Sequence, residues 1–259
     1  MAHTPRSLRH EFALYVEQEI EDYKESVPRS VLLSIGDEAV ASLGAQAQFA
    51  LTELLLWEEV DRIIARRLRL PTYDTWKRRR LRLLAKYKNP AHWGIAADAP
   101  LVREIRASPE TRVLVAGVGE AVVEGAALYL AANGCDVTTL EPGEDAVERV
   151  IHAATAAGLA ERVKGHVAGL GDWAPEVALH AVVCSLAAFE QLAPAERARV
   201  IATLQRATVD GGVHLVQTLA AAPATRSLDE LRAVYDGWDV DVAADLGAGQ
   251  TFMARKHVA

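Results

Sequence analysis

Along residues 1–95 the apolar positions recur at helical spacing, and from about residue 112 they gather into short runs separated by helical stretches. Leu8, Phe12, Tyr15, Val16, Ile20 and Tyr23 keep the 3.6-residue period, and Pro28 breaks it. A second helix is expected from about Ser30, with Gly36 or Asp37 as a point of division. A third carries Leu56, Val60, Ile63, Ile64 and Leu68 on one face and stops at Pro71. A fourth begins near Thr72 or Asp74, carries Trp76, Leu83, Leu84 and Tyr87, and ends before Pro90. Residues 96–111 form a connector, with a short helix over Leu101–Ala107 between Pro100 and Pro109. Strands are then predicted at Arg112–Ala116, Asp136–Leu140, Val163–Ala168, Leu179–Cys184 and Val213–Thr218, with helices between most of them. Two further strands, Trp238–Ala243 and Thr251–Lys256, follow a helix over Leu228–Tyr235 and have none between them. That alternation specifies an α/β fold: a mostly parallel sheet covered by helices on both faces, closed by an antiparallel hairpin, behind an all-helical region.

Composition narrows the class. With 51% hydrophobic, 24% charged and 6% aromatic residues, the 259-residue chain is ordinary globular protein. No uncharged run reaches 18 residues, so no membrane-spanning helix is expected, and Met1–Arg9 does not lead into the apolar stretch of a secretory signal. The two cysteines, Cys135 and Cys184, supply neither a disulfide framework nor a cysteine metal site, which fits a reduced, cytoplasmic protein. The net charge of −7 is uneven: residues 1–111 hold 17 Lys/Arg against 16 Asp/Glu, and residues 112–259 hold 11 against 19. That balance opposes general binding of phosphate backbones. The local exception is Arg62–Lys88, with 11 basic residues and one acid, Asp74. There Trp76, Arg78, Arg79 and Arg80 offer either a solvated helix face or a surface for RNA or an acidic partner.

In an open parallel sheet, ligands bind beyond the C-terminal ends of the strands. The first end is Gly117-Val118-Gly119-Glu120: a tight turn, or a loop that lets backbone approach a ligand at a helix N-terminus. The second is Glu141-Pro142, an acid roughly 20 positions after the glycines, the spacing that suits a carboxylate gripping a ribose diol. The third is Gly169-Leu170-Gly171-Asp172-Trp173, where an acid beside an aromatic suits an adenine ring or caps a turn. The fourth is Cys184-Ser185-Leu186, followed by Phe189; here Ser185 either lines a ligand or caps the next helix.

Together these ends resemble the class I S-adenosylmethionine (SAM) dependent methyltransferases over residues 112–257. VLVAGVG resembles the family's glycine-rich first motif, and VTTLEPGEDAVERVIHAATAAGLAERV its acidic second motif and following helix. GLGDW resembles the adenine loop, HAVVCSLAAFEQL the fourth motif, and ATVDGGVHLVQ the glycine turn entering the fifth strand. The resemblance implies a Rossmann-like seven-stranded domain over 112–259 that binds SAM and releases S-adenosylhomocysteine (SAH). It implies that Gly117, Val118, Gly119 and Glu120 pass under the methionine part, and that Glu141 and Pro142 hold the ribose. Gly171, Asp172 and Trp173 would flank the adenine, and Cys184, Ser185 and Leu186 would line the sulfonium side. A nicotinamide-binding Rossmann domain fits less well, because Val122 stands at its third glycine position.

The chain departs from the family at three points. Val115 stands where the first strand usually carries an acid, the third loop glycine falls on Ala121, and the stretch from Gly117 to Val137 is about three residues longer than usual. Glu120 and Glu124 are the candidates to replace the missing charge, in a loop that would include Gly125.

The resemblance further implies that the helical region 1–95 acts as a lid helping to build the acceptor pocket, with Tyr87, His92, Trp93 and Phe189 as substrate contacts and His92 as candidate base. His166 and His180 are weaker candidates, His180 fitting a packed strand position. The expected acceptor is a small molecule methylated on N, O or S. The alternatives are an RNA or protein substrate read by helix 76–88, and a non-catalytic SAM-fold scaffold. The helical region is also a candidate homodimer surface. No metal site is expected.

Overall fold

The structure is a computed structural model describing residues 7–44, 53–218, 225–244 and 249–258. The chain divides into two compact units, residues 1–83 and 84–259.

The first unit is helical. In α1 (Leu8–Ser26), Ser7 Oγ caps the first turn by accepting from the His10 N–H at 3.2 Å. α2 (Arg29–Gly44) runs unbroken through Gly36 and Asp37, which corrects the expected division. Ile35 and Ala39 are both fully enclosed against α3 (Glu53–Arg67), and that buried face outweighs one glycine's helix penalty of ~1 kcal/mol. The core is Ile20, Ile35, Ala39, Val60, Ile63 and Ile64. Glu59 is buried beside it and is satisfied by Ser42 Oγ at 3.2 Å, Arg66 at 3.1 Å and Arg62. α4 begins at Tyr73 and extends to Tyr87; Tyr73 and Trp76 pack on Phe12 of α1 at ring distances of 5.5 and 5.4 Å. Arg80 Nε donates to Glu11 at 3.1 Å, so this residue of the basic stretch is spent on the helix pair.

The second unit is built on a seven-stranded sheet in the order β3-β2-β1-β4-β5-β7-β6. The strands are β1 (Arg112–Ala116), β2 (Asp136–Glu141), β3 (Val163–Val167), β4 (Leu179–Ser185), β5 (Thr208–Gln217), β6 (Trp238–Ala244) and β7 (Gln250–Lys256). β1 to β5 are mutually parallel, and β7 pairs antiparallel with both β5 and β6. This is the mostly parallel sheet with a terminal hairpin expected from the pattern. Alternation sends Val113, Val115, Val137, Val183 and Leu215 into one apolar cluster, and Leu114, Leu140, Val182 and Val216 into the other. α5 (Pro100–Glu104), α6 (Ala121–Ala132) and α7 (Glu144–Ala156) serve the first face. α8 (Leu186–Glu190), α9 (Pro194–Ala207) and α10 (Thr225–Val234) complete the helices.

β5 and α5 are among the elements whose boundaries differ from expectation. β5 starts at Thr208 rather than Val213, because Gly211 at φ 75° turns the chain inside the strand while the pairing with β4 shifts register. α5 ends at Glu104, short of Ala107.

Chain order reverses between β1 and β4. In such sheets the strands on either side of the reversal lead their helices to opposite faces and leave a crevice at their C-terminal ends. The sequence-derived candidates from Gly117 to Trp173 lie at those ends.

Candidate functional site

The glycine loop joins β1 to α6. Gly119 has φ 92°, a conformation open to glycine, and Gly117 is packed so closely that a Cβ there would lie 2.8 Å from both Glu120 Oε2 and Glu141 Oε1. Two carboxylates therefore converge on one backbone position. Glu141, the last residue of β2, is 2% exposed, and its Oε2 accepts from the Gly119 N–H at 2.7 Å. Glu120 turns its side chain back over the loop, where Oε2 accepts from the Val118 N–H at 2.7 Å. Its Oε1 is shielded from solvent and has no hydrogen-bond partner among the described residues. Burial pushes the Glu141 carboxyl above its ordinary range; the Gly119 N–H and Arg149 oppose that, and Glu120 and Glu124 add to it. Arg149 stands 3.9 Å from Glu124.

Val115 is fully enclosed in the core, so the strand itself brings no charge to the loop. Glu120 brings it from the N-cap of α6, as the sequence allowed. Ala121 opens the helix. Gly125 is not part of the loop: it lies inside α6, and its Cβ would meet Trp93 O at 2.5 Å. It is the contact point for the segment that precedes the sheet.

That segment holds Tyr87, His92 and Trp93. Pro90–Trp93 is a short 3-10 helix laid along α6. Asn133 Nδ2 donates to Lys88 O at 3.4 Å near one end of α6, and Trp93 O approaches Gly125 nearer the other. The His92 ring sits 5.1 Å from Tyr87 and 4.6 Å from Trp93, and Trp93 Nε1 donates to Tyr87 O at 2.7 Å. Tyr87 and Trp93 pack on the core cluster beneath α6. The three rings form one packing group, and no hydrogen bond links His92 to the strand ends among the described residues.

At the third end, Asp172 is exposed on a turn closed by its N–H on Gly169 O at 3.2 Å. Trp173 is half-buried against the second core cluster. Gly171 is pressed against α9, where a Cβ would lie 2.5 Å from Glu196 Oε1. Ala168 N donates to Glu141 O at 3.0 Å, which ties this loop to the end of β2. Pro142 is exposed beside it.

At the fourth end, Ser185 is buried and caps α8, its Oγ accepting from the Ala188 N–H at 3.3 Å. Cys184 and Leu186 are buried in the second core cluster, and burial pushes the Cys184 thiol up to about 12, which keeps it protonated. Phe189 is also fully enclosed there. It is expected among the substrate contacts and stands here within the core cluster; a short helix gives no periodicity from which burial could be read. Of the weaker histidines, His180 accepts from the Arg112 N–H at 3.2 Å near the start of β4, and His166 is exposed on β3.

One further residue belongs with the strand ends and was missed. Gln217 closes β5 directly opposite Ser185, and its Oε1 is shielded without a partner among the described residues. The signal available was its position: a polar residue at the end of a strand otherwise running Val213 to Val216.

No protein-family model matches this chain, and neither does any curated protein. Among solved structures the chain is similar to TehB from Haemophilus influenzae (17% identity, TM-score 0.43), over 56% of this chain and 57% of that one. It is also similar to a putative rRNA methylase from Clostridium thermocellum (14%, TM-score 0.46), over 59% of this chain and 89% of that one. A third is the glycopeptide N-methyltransferase MtfA complexed with sinefungin (14%, TM-score 0.46), over 57% of this chain and 81% of that one. The match thus spans little more than half the length of TehB.

Proposed function

We propose that the second unit binds SAM at the ends of β1, β2 and β3 and transfers its methyl group to a small-molecule acceptor. The observation that carries this is the buried Glu141 carboxylate on the glycine-loop N–H, at the crevice where the sheet's strand order reverses. A glycine whose missing side chain leaves room for two carboxylates, an acid closing the second strand and an orphaned carboxylate oxygen suit a ligand with a ribose diol and a cationic amino-acid tail.

In this reading Glu141 accepts from the ribose hydroxyls. Glu120, released from the Val118 N–H, offers its carboxylate to the ligand's ammonium in place of the acid absent at Val115. Asp172 and Trp173 flank the adenine. Bound SAM would supply an electrophilic methyl carbon on a positively charged sulfur, with SAH as the leaving group when an acceptor lone pair takes that carbon. The protein's part is to hold donor and acceptor in line and exclude water. The excess of 19 acids over 11 bases in residues 112–259 disfavours a polyanionic substrate.

Calorimetric titration tests the cofactor. Wild type should bind SAH in the micromolar range, and Glu141→Ala should weaken it by about tenfold or more, since a hydrogen bond to a charged group contributes ~1.5–3 kcal/mol. Absence of heat with millimolar SAH and SAM would refute the reading.

A further inference from the structure

Gln217 stands in a row of residues that crosses the sheet at its C-terminal rim. Ala116 is level with Leu140 and with Cys184, so Gly117 stands one step on, level with Glu141 and Ser185. Ser185 pairs with Gln217, and Gln217 with Thr251. Alternation puts Glu141, Gly117, Ser185 and Gln217 on the face that carries Val115, Val183 and Leu215 one row below. The lower row is largely an apolar floor. At a strand spacing of ~4.8 Å, Ser185 lies about 10 Å from Glu141 and Gln217 about 14 Å, on the side away from β3.

A buried acceptor without a donor costs stability, and each one in a folded protein calls for a reason. Ser185 Oγ already accepts from Ala188 N. Gln217 Oε1 accepts from nothing described. We propose that Gln217 is the acceptor-orienting residue of the site: its Oε1 receives a hydrogen bond from an N–H of a neutral amine whose lone pair takes the methyl group, and the ammonium so formed gives its proton to water, so the substrate is an amine rather than a thiolate or a carbon nucleophile. This rests on the SAM reading above. An amide has no useful basicity, so Gln217 orients the acceptor and takes no proton.

Sinefungin provides the probe, because it carries an amine-bearing carbon where SAM has its methyl sulfonium, and SAH carries nothing there. By calorimetry, wild type should bind sinefungin more tightly than SAH. Gln217→Leu should weaken sinefungin by about tenfold and change SAH less than twofold, and Gln217→Glu should restore or improve sinefungin alone. Ligand-free Gln217→Leu should melt no lower than wild type, since the substitution removes a shielded oxygen that has no partner. Equal effects on the two ligands, no effect on either, or a lowered melting temperature in the leucine variant would overturn the inference and leave the SAM reading intact. Failure of wild type to bind SAH would overturn the SAM reading and this inference with it.

Discussion

Glu141 is held by two opposing demands. Its Oε2 anchors Gly119 through a 2.7 Å hydrogen bond, yet burial raises its pKa above the ordinary 4.5. Between 4.5 and that raised value the folded chain holds a proton the unfolded chain has lost, so stability declines as pH rises through the window. Above that window the buried carboxylate is a cost to the fold relative to the protonated acid. Glu141→Gln should raise the ligand-free melting temperature at pH 7 and lower it relatively little at pH 4, while losing most SAH affinity. In wild type, SAH affinity should fall as pH drops through a midpoint above 4.5, and that dependence should vanish in the glutamine variant. A variant less stable than wild type at pH 7 would mean the carboxylate is there for structure. The position of this acid was readable from its spacing; its grip on the loop was not, because a side chain's path over a glycine is set by three-dimensional packing.

At the scale of elements, the sheet was readable almost throughout, since alternating apolar runs and glycine turns are local signals. The contacts that escaped are those between distant segments. Gly125 reads as part of a loop because the stretch from Gly117 to Val137 is about three residues longer than usual; it is a helix position that lets Trp93 O approach across 32 positions of chain. Gly125→Ala should push Pro90–Trp93 off α6 and cost about 1–3 kcal/mol, with SAH affinity changing far less than stability. Chemical denaturation with a parallel titration separates the two; equal losses would place the segment in the site.

His214 escaped for the same reason. Thr208 Oγ1 donates to Leu204 O at 2.7 Å and so receives the His214 Nε2–H at 2.7 Å, which leaves Nδ1 to accept from Tyr235 OH at 2.8 Å. Burial lowers its pKa to about 3, with Lys256 adding to the shift. The folded chain keeps this ring neutral while the unfolded chain protonates near 6.5. Stability should thus fall with acidification by up to about 1.4 kcal/mol per pH unit between 6.5 and about 3. Urea denaturation of wild type against Tyr235→Phe/His214→Phe checks it: the double variant should lose much of that slope.

At the scale of the molecule, the two units carry separate cores, and the glycine loop, Glu141, Asp172, Ser185 and Gln217 all lie in residues 84–259. A fragment of residues 84–259 should melt cooperatively and bind SAH within about threefold of the full chain; a fragment that folds but has lost binding would show that the helical unit contributes to the cofactor site. The sequence places a boundary at residue 95, at the proline-rich segment where composition changes. The observed division falls at residue 83, inside a helix, where no local signal marks it.

The central claim is that a SAM-type ligand occupies the rim of the sheet over the glycine loop. The crystal structure of the full chain grown with SAH tests it most directly. The account predicts the ribose hydroxyls on Glu141, the adenine between Asp172 and Trp173, and Glu120 turned from Val118 N to the ligand's ammonium. Ligand density elsewhere, or over the rim with Glu141 still bonded only to Gly119, would contradict it.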